Sequence, residues 1–453
     1  MTDAALAFAA HVAATRFHHL PPPAVERAKV FLLDTLGVAM AGSTAQGAAE
    51  VLAAARGWGE GAGATVLGTS ARLPAPQAVL VNAFQIHCQE YDCLHEGAVL
   101  HALATLLPVL LAEAERRPVS GQALLTALAV GVDVSCGLGL AARQGLRFFR
   151  PATSGGFGAV AGLASLRGFS AETTLAAFGL HYGQVSGTMQ PHIEGSPVLP
   201  LQVGVNARAA WCACDLAEAG LAGLSDVFEG RFGYLPMFEG EWDVAPVLAG
   251  LGHRWLVAEL SHKPFPSGRA THGGVEGVMA LRAAHGFSAD DVAEVVVHGP
   301  PLINRLVNRP LPASPSANWA RLCMPYVLAK LLQHGEVELA QFRGEALTDP
   351  ATHALAARVR MQDDGNPDPN ALAPQRVDIR LRDGRVLAHA IPEMLAGPNR
   401  PLSEAQHLTK FRRCLSFAAT PQPNGEALVE AVARIDAVTD VAALLTLRPT
   451  KSD

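Results

Sequence analysis

The chain has 453 residues, of which 49% are hydrophobic and 17% charged, with a net charge of −6. Such a composition can bury a large core and excludes a disordered chain; the acidic balance leaves no basic footprint, so nucleic acid is not an expected partner. The cysteines number seven, an odd count at irregular spacing, which points to free, mostly buried thiols in a reducing, cytoplasmic setting.

The N-terminal stretch MTDAALAFAAHVAATRF carries Asp3 and His11 and lacks a basic leader, so it reads as an amphipathic helix and not as a signal peptide. PPPAVERAKVFLLDTLGVAMAG (21–42) opens on prolines and closes on Gly42, both helix signals. Residues 74–93 and 98–117 are further helices, the second kinked at Pro108 and ending in arginines. Helices are also expected over 120–143, 156–167, 171–188, 203–219 and 245–251, with one short strand at 65–67. ALLTALAVGVDVSCGLGLAA (123–142) is long and nearly uncharged. Asp133, Thr126, Ser135, Gly131 and Gly137 inside it, and charges close on both sides, make it a buried core helix, so no membrane partner is expected.

The composition changes after about residue 262. DVAEVVVHG (291–299) and ARVRMQD (357–363) are strand-like. QRVDIRLRDGRVLAHAIP (375–392) is a hairpin turning at Asp383-Gly384. Helices at 271–286, 319–334 and 338–344 intervene. After GPNRPLS the pattern returns to helix in SEAQHLTKFRRCLSF and GEALVEAVARI, a tail expected to pack on the first helices. The expected fold is mainly α: a large, discontinuous all-helical domain (1–265 and 398–453) with an inserted, smaller α+β lid domain (266–397).

The densest chemistry lies in HCQEYDCLHEGAVLH (87–101). If helix continues through it, His87, Tyr91 and His95 share one face and Cys88 and Asp92 the next. Neither paired CxxC nor HExxH is present, so no metal is expected. Glu90 or Asp92 could serve His101 in acid–base work if the loop folds back; a solvated helix end explains the same residues equally well. RFFRPATSGGFGAVAG (147–162) places Arg147 and Arg150 before a Gly-rich helix start, suited to a carboxylate or to close packing. SHKPFPSGRATHGG (261–274) gathers Lys263, Arg269 and His272 at the proposed domain junction, where cations suit an anionic substrate. Tyr326, in the apolar CMPYVLAKLL, reads on its own as a core tyrosine.

The order of these segments resembles the MmgE/PrpD family over nearly the whole chain. The resemblance rests on VNAFQIHCQEYDCLHEGAVLHALATLLPVLLAEAE, RPATSGGFGAVAGLASLRG, FGLHYGQVSGTMQPHIEGSPV, KPFPSGRATHGG and MPYVLAKLL, followed by the LRDGR hairpin and PNRPLSEAQHLTKF. It implies a homodimer without metal or organic cofactor and a cleft that handles small di- or tricarboxylates by proton transfer beside a carboxylate. The family's acidic position falls on Glu90 or Asp92, its histidine on His101, its lysine on Lys263 and its tyrosine on Tyr326, all implied to be catalytic. Arg269, Arg150, His272 and Gln202 are the implied substrate-binding residues. The chain also departs from the family. Arg150 stands where members often have histidine, Leu199 and Gln202 where they have lysine and histidine, and Gly268 where decarboxylases have histidine. The implied activity is a dehydratase-type lyase. An epimerase or isomerase of a dicarboxylate, or an inactive carboxylate-binding homologue, is the alternative.

Overall fold

The computed structural model describes residues 3–59, 61–422 and 424–445. Six long helices build the larger part: Pro22–Gly42, Ala75–His87, Ala102–Arg116, Gly121–Ala141, Arg150–Arg167 and Val198–Glu218. Gly121–Ala141 is the apolar helix read as core, and 89% of its most apolar window is buried inside the protein. The glycines that weaken it as an isolated helix explain its packing. A Cβ at Gly131 would stand 2.8 Å from the Gly158 carbonyl oxygen, and one at Gly158 would stand 2.5 Å from that of Gly131. Helices Gly121–Ala141 and Arg150–Arg167 therefore touch backbone to backbone, which only glycine permits.

A four-stranded sheet forms the smaller part, in the order Val359–Asp363, Val292–Gly299, Gln375–Leu381, Val386–Ile391. The first pair is parallel and the others antiparallel. Asp383-Gly384 turns the expected hairpin, with Gly384 at φ 91°. Helices His272–His285 and Met324–His334 pack beside the sheet. Elsewhere a two-stranded ribbon pairs Ala64–Thr65 with Arg72–Leu73.

Two large apolar clusters result. The larger combines residues from the first 260 with Phe411, Leu428, Val432, Ile435, Val441 and Leu444 of the tail. An ion pair of 2.7 Å between Lys410 Nζ and Asp34 fastens the tail to helix Pro22–Gly42. The smaller cluster spans residues 270–394, with Leu146 joining it from the helical part. All seven cysteines are free; six are buried and Cys212 is half-buried.

Several elements depart from the expected bounds. The helix expected at 98 starts at Ala102, because Leu100 pairs back with His95. The helix expected over 319–334 is two, Ala317–Arg321 and Met324–His334. Pro325 has no N–H to offer the Arg321 carbonyl, as a continuous helix would need. That carbonyl accepts instead from Gly268 N at 2.9 Å. Residues 338–344 form 3₁₀ turns, and helix Ala171–Tyr182 stops six residues short of the expected 188.

Candidate active site

Helix Ala75–His87 ends where the polar segment begins. His87, Tyr91 and His95 consequently do not share a helix face; only His87 is helical. The chain then turns through Glu90, held at φ 50°, a left-handed conformation that costs about 1 kcal/mol or more in a residue with a Cβ. Two backbone bridges shape the loop beyond it. Leu94 pairs with Ser261 and His95 with Leu100. The first sets Lys263 opposite Glu90; the second folds the loop back so that His101 returns to Asp92.

The result is a buried cluster of five titratable side chains. The Asp92 Oδ2 lies 2.9 Å from His87 Nδ1 and 3.2 Å from His101 Nδ1. Lys263 Nζ donates to Glu90 Oε2 at 2.6 Å and stands 4.0 Å from Asp92 Oδ1. The two imidazoles face each other edge-on, with centroids 4.9 Å apart. Glu90 and Asp92 thus divide the carboxylate roles. Asp92 spans the two histidines, and Glu90 neutralises the lysine.

Burial and neighbours set the protonation states. Burial alone would raise both carboxyls. Lys263, His87 and His101 outweigh it at Glu90, holding it at about 2; His101 and His87 hold Asp92 well below the carboxylate range. The histidines diverge. Burial lowers His101, and Asp92 only partly offsets that. At His87 burial also pulls down, but Asp92, through charge and hydrogen bond, prevails and raises it. One imidazole is biased to the neutral form and its neighbour to the protonated form.

His87, Glu90 and His101 open on a cavity. Its walls come from both parts of the fold: Leu94, Phe149 and Met189 on one side, Leu306, Val307 and Leu322 on the other. Arg269 lines it too, with its guanidinium paired to Glu96 at 2.7 Å. His272 backs Arg269 at 3.3 Å, and its other nitrogen meets the Ser267 carbonyl at 3.2 Å. Burial, then the Arg269 charge, holds it well below the usual histidine range, so it supports the arginine as a neutral ring.

Three expected site residues lie elsewhere. Arg150 is fully buried, pairing with Glu239 at 2.9 Å and donating to the Ala98 carbonyl at 3.3 Å. It braces the loop that carries His101 and does not line the cavity. The Gln202 side-chain amide is used at both ends by the Thr188 backbone. The Tyr326 hydroxyl lies 2.6 and 2.8 Å from the Gln341 and Ala346 carbonyl oxygens, inside the smaller apolar cluster. Tyr326 is therefore the core tyrosine that its helix suggested. Of the departures, Leu199 joins the larger apolar cluster. A Cβ at Gly268 would meet the Leu322 side chain at 2.8 Å, leaving no room for a histidine without displacing it.

Two cavity residues were not singled out from the sequence as site residues. His87 looked like part of a helix face, and only the helix end reveals its role. His192 lines the cavity beside Arg309, at 3.2 Å; burial and then that charge lower it to about 4. It sits in the PHIEGSP stretch, with no acidic neighbour in sequence except Glu194 to mark it.

The ligand atoms of His87, Asp92 and His101 lie within 4.8 Å of one another, so these three could meet a metal ion. The Lys263 ammonium already supplies a positive charge at Asp92, against which a cation would have to compete.

A buried cluster of acid–base side chains thus opens on a cavity between the helical and α+β parts. The chain belongs to the MmgE/PrpD family: the MmgE/PrpD N-terminal domain matches residues 6–246 and the C-terminal domain residues 265–434. It is similar to the cis-aconitate decarboxylases of Mus musculus (25% identity, 97% of this chain and 92% of the relative) and Homo sapiens (26%, 97% and 93%). The cis-aconitate decarboxylase of Aspergillus terreus is 25% identical over 94% of this chain and 92% of its own.

Proposed function

We propose that this chain is a lyase of dehydratase type, working without metal or organic cofactor on a small di- or tricarboxylate. Neutral His101 takes the proton from the carbon next to a carboxylate. Asp92 orients the imidazole and stabilises the imidazolium that forms. Lys263, fully buried against Glu90, offsets the enediolate charge from behind the cavity wall, and Arg269, which lines the cavity, meets a substrate carboxylate. Protonated His87 delivers a proton to the departing hydroxyl, which leaves as water. The observation that carries this reading is the pair of histidines on one aspartate, pushed in opposite directions, since such pairs divide into base and acid. The decarboxylase relatives support a lyase of carboxylates.

The same pair also favours a second reading, an epimerase, in which His101 removes the α proton and His87 returns one from another side. Incubation with candidate di- and tricarboxylates in D₂O separates the two. Loss of water with formation of a double bond supports the dehydratase; deuterium at the α carbon without elimination supports the epimerase. Binding without exchange or turnover would overturn both and leave a carboxylate-binding homologue.

The 266–397 segment serves in this reading as the lid over the cavity. A homodimer in the cytoplasm completes it, supported by family resemblance and by the free thiols. Light scattering of the purified chain tests the dimer, and a mass equal to one chain would remove it.

A further inference from the structure

Among the described residues, the buried cations other than Arg321 have carboxylate partners, the loosest being Lys330 with Asp349 at 3.6 Å. Arg150 has Glu239, Arg167 has Glu113, Lys263 has Glu90, Arg269 has Glu96 and Lys410 has Asp34, each at 3.1 Å or less. Arg321 is 1% exposed, and among the described residues no carboxylate pairs with it. Its Nη2 reaches only the neutral Gln89 Oε1, at 3.3 Å, and its buried Nε and Nη1 have no hydrogen-bond partner. A second arginine converges on the same oxygen: Arg343 Nη2 lies 3.4 Å from Gln89 Oε1, again without a carboxylate, and its buried Nε is also unpartnered. Each guanidinium rests near an aromatic ring, Arg321 by Phe342 and Arg343 by Phe417. Two cations thus share one neutral acceptor, an arrangement that is unfavourable unless an anion joins it.

We propose that Arg321 and Arg343 form a binding site for a small oxyanion, of the phosphate or carboxylate class. The unpartnered N–H donors at Arg321 Nε and Nη1 and at Arg343 Nε are the groups that the oxygens of such an anion would satisfy. The site is not part of the cavity wall. The Arg321 carbonyl bonds to Gly268 N, and its neighbour Leu322 lines the cavity, while the guanidinium points away to Gln89. The contributors come from both parts of the fold. Arg321 and Arg343 flank helix Met324–His334 of the smaller part. Gln89 directly precedes Glu90, and Thr44, which accepts from Arg343 Nη1 at 2.9 Å, follows helix Pro22–Gly42. An anion here clasps the smaller part to the helices one residue from the catalytic cluster.

The test is calorimetric and thermal-shift titration of the full chain with inorganic phosphate, against chloride at equal ionic strength. The expected result is saturable binding of one phosphate per chain. R343Q, at a half-buried position, should weaken it at least ~10-fold, and R321M should abolish it. H101A should bind phosphate as the unaltered chain does, because the site is separate from the cavity. Competition with tricarballylate tells the source of the natural oxyanion: displacement of phosphate marks a carboxylate reaching this site, and independence marks a free anion. A phosphate response equal to that of chloride, unchanged binding in R343Q, or loss of binding in H101A would each overturn the proposal.

Discussion

Two buried clusters in this protein are built from the same parts. His87, Asp92 and His101 form one; Asp34, His262 and His407 form the other. Each carboxylate also has a lysine, Lys263 at 4.0 Å from Asp92 and Lys410 at 2.7 Å from Asp34. The difference lies in access and in asymmetry. His87 and His101 face the cavity, whereas His262 makes tilted ring contacts with Phe31 and His407, with centroids 4.6 and 5.1 Å away. Burial lowers both His262 and His407, so neither is kept as an acid. In the first cluster the aspartate bridges both rings; it outweighs burial at His87 and only partly offsets it at His101, so the two diverge. Residue type therefore does not separate a reactive cluster from a structural one; a shared carboxylate and an opening do.

That contrast can be broken most sharply at His101. H101A should lower turnover by ~10² to 10⁴-fold, the usual range for a general base, with little change in melting temperature. H407N should leave turnover per folded molecule unaltered. Equal activity losses in the two variants would erase the distinction. The next effect is on stability. K410M strands the Asp34 charge in the core, and breaking a buried pair in this way costs about 3–5 kcal/mol; denaturant unfolding measures it, and the folded fraction should retain its activity. The pH profile comes third. The proposed mechanism requires His101 deprotonated and His87 protonated. It should fall as pH drops through the His101 value, below 6.5, and as pH rises through the His87 value, above 6.5. The expected kcat/KM profile is a plateau that brackets 6.5, and a single transition at the ordinary histidine value would show that the two rings do not diverge.

Much of the fold was legible because the signals were local. Asp383-Gly384 has one good solution between alternating strands, and the 123–142 run could only be core or membrane, with Asp133 and its glycines pointing inward. What was not legible depended on tertiary partners. The polar segment 87–101 read as a continuing helix because propensity cannot foresee the Leu94–Ser261 bridge, which joins residues far apart in the chain. His87 was missed for that reason, and Glu90 and Asp92 could not be told apart. Lys263 and Arg269 were readable as cations at a junction, but not that Glu90 and Glu96 would already hold them. Arg150 shows the opposite error. A cation before a Gly-rich helix suggested a carboxylate ligand, and the protein supplies that carboxylate itself, from Glu239.

Tyr326 gives the smallest and most discriminating test of reading by family against reading by residues. The family resemblance made it catalytic; its apolar helix made it a core tyrosine. Its hydroxyl meets the Gln341 and Ala346 carbonyls, and burial pushes the phenol above its usual range, so it is a poor proton donor at neutral pH. Y326F removes one hydroxyl from two backbone acceptors and keeps the ring against Phe342. The expected cost is about 1 kcal/mol of stability, the net worth of a typical hydrogen bond, with kcat/KM per folded molecule unchanged. A drop in turnover of about two orders of magnitude or more, the scale of a lost general acid, at unchanged stability would place the hydroxyl at the substrate, and would mean that the smaller part must move to bring it there.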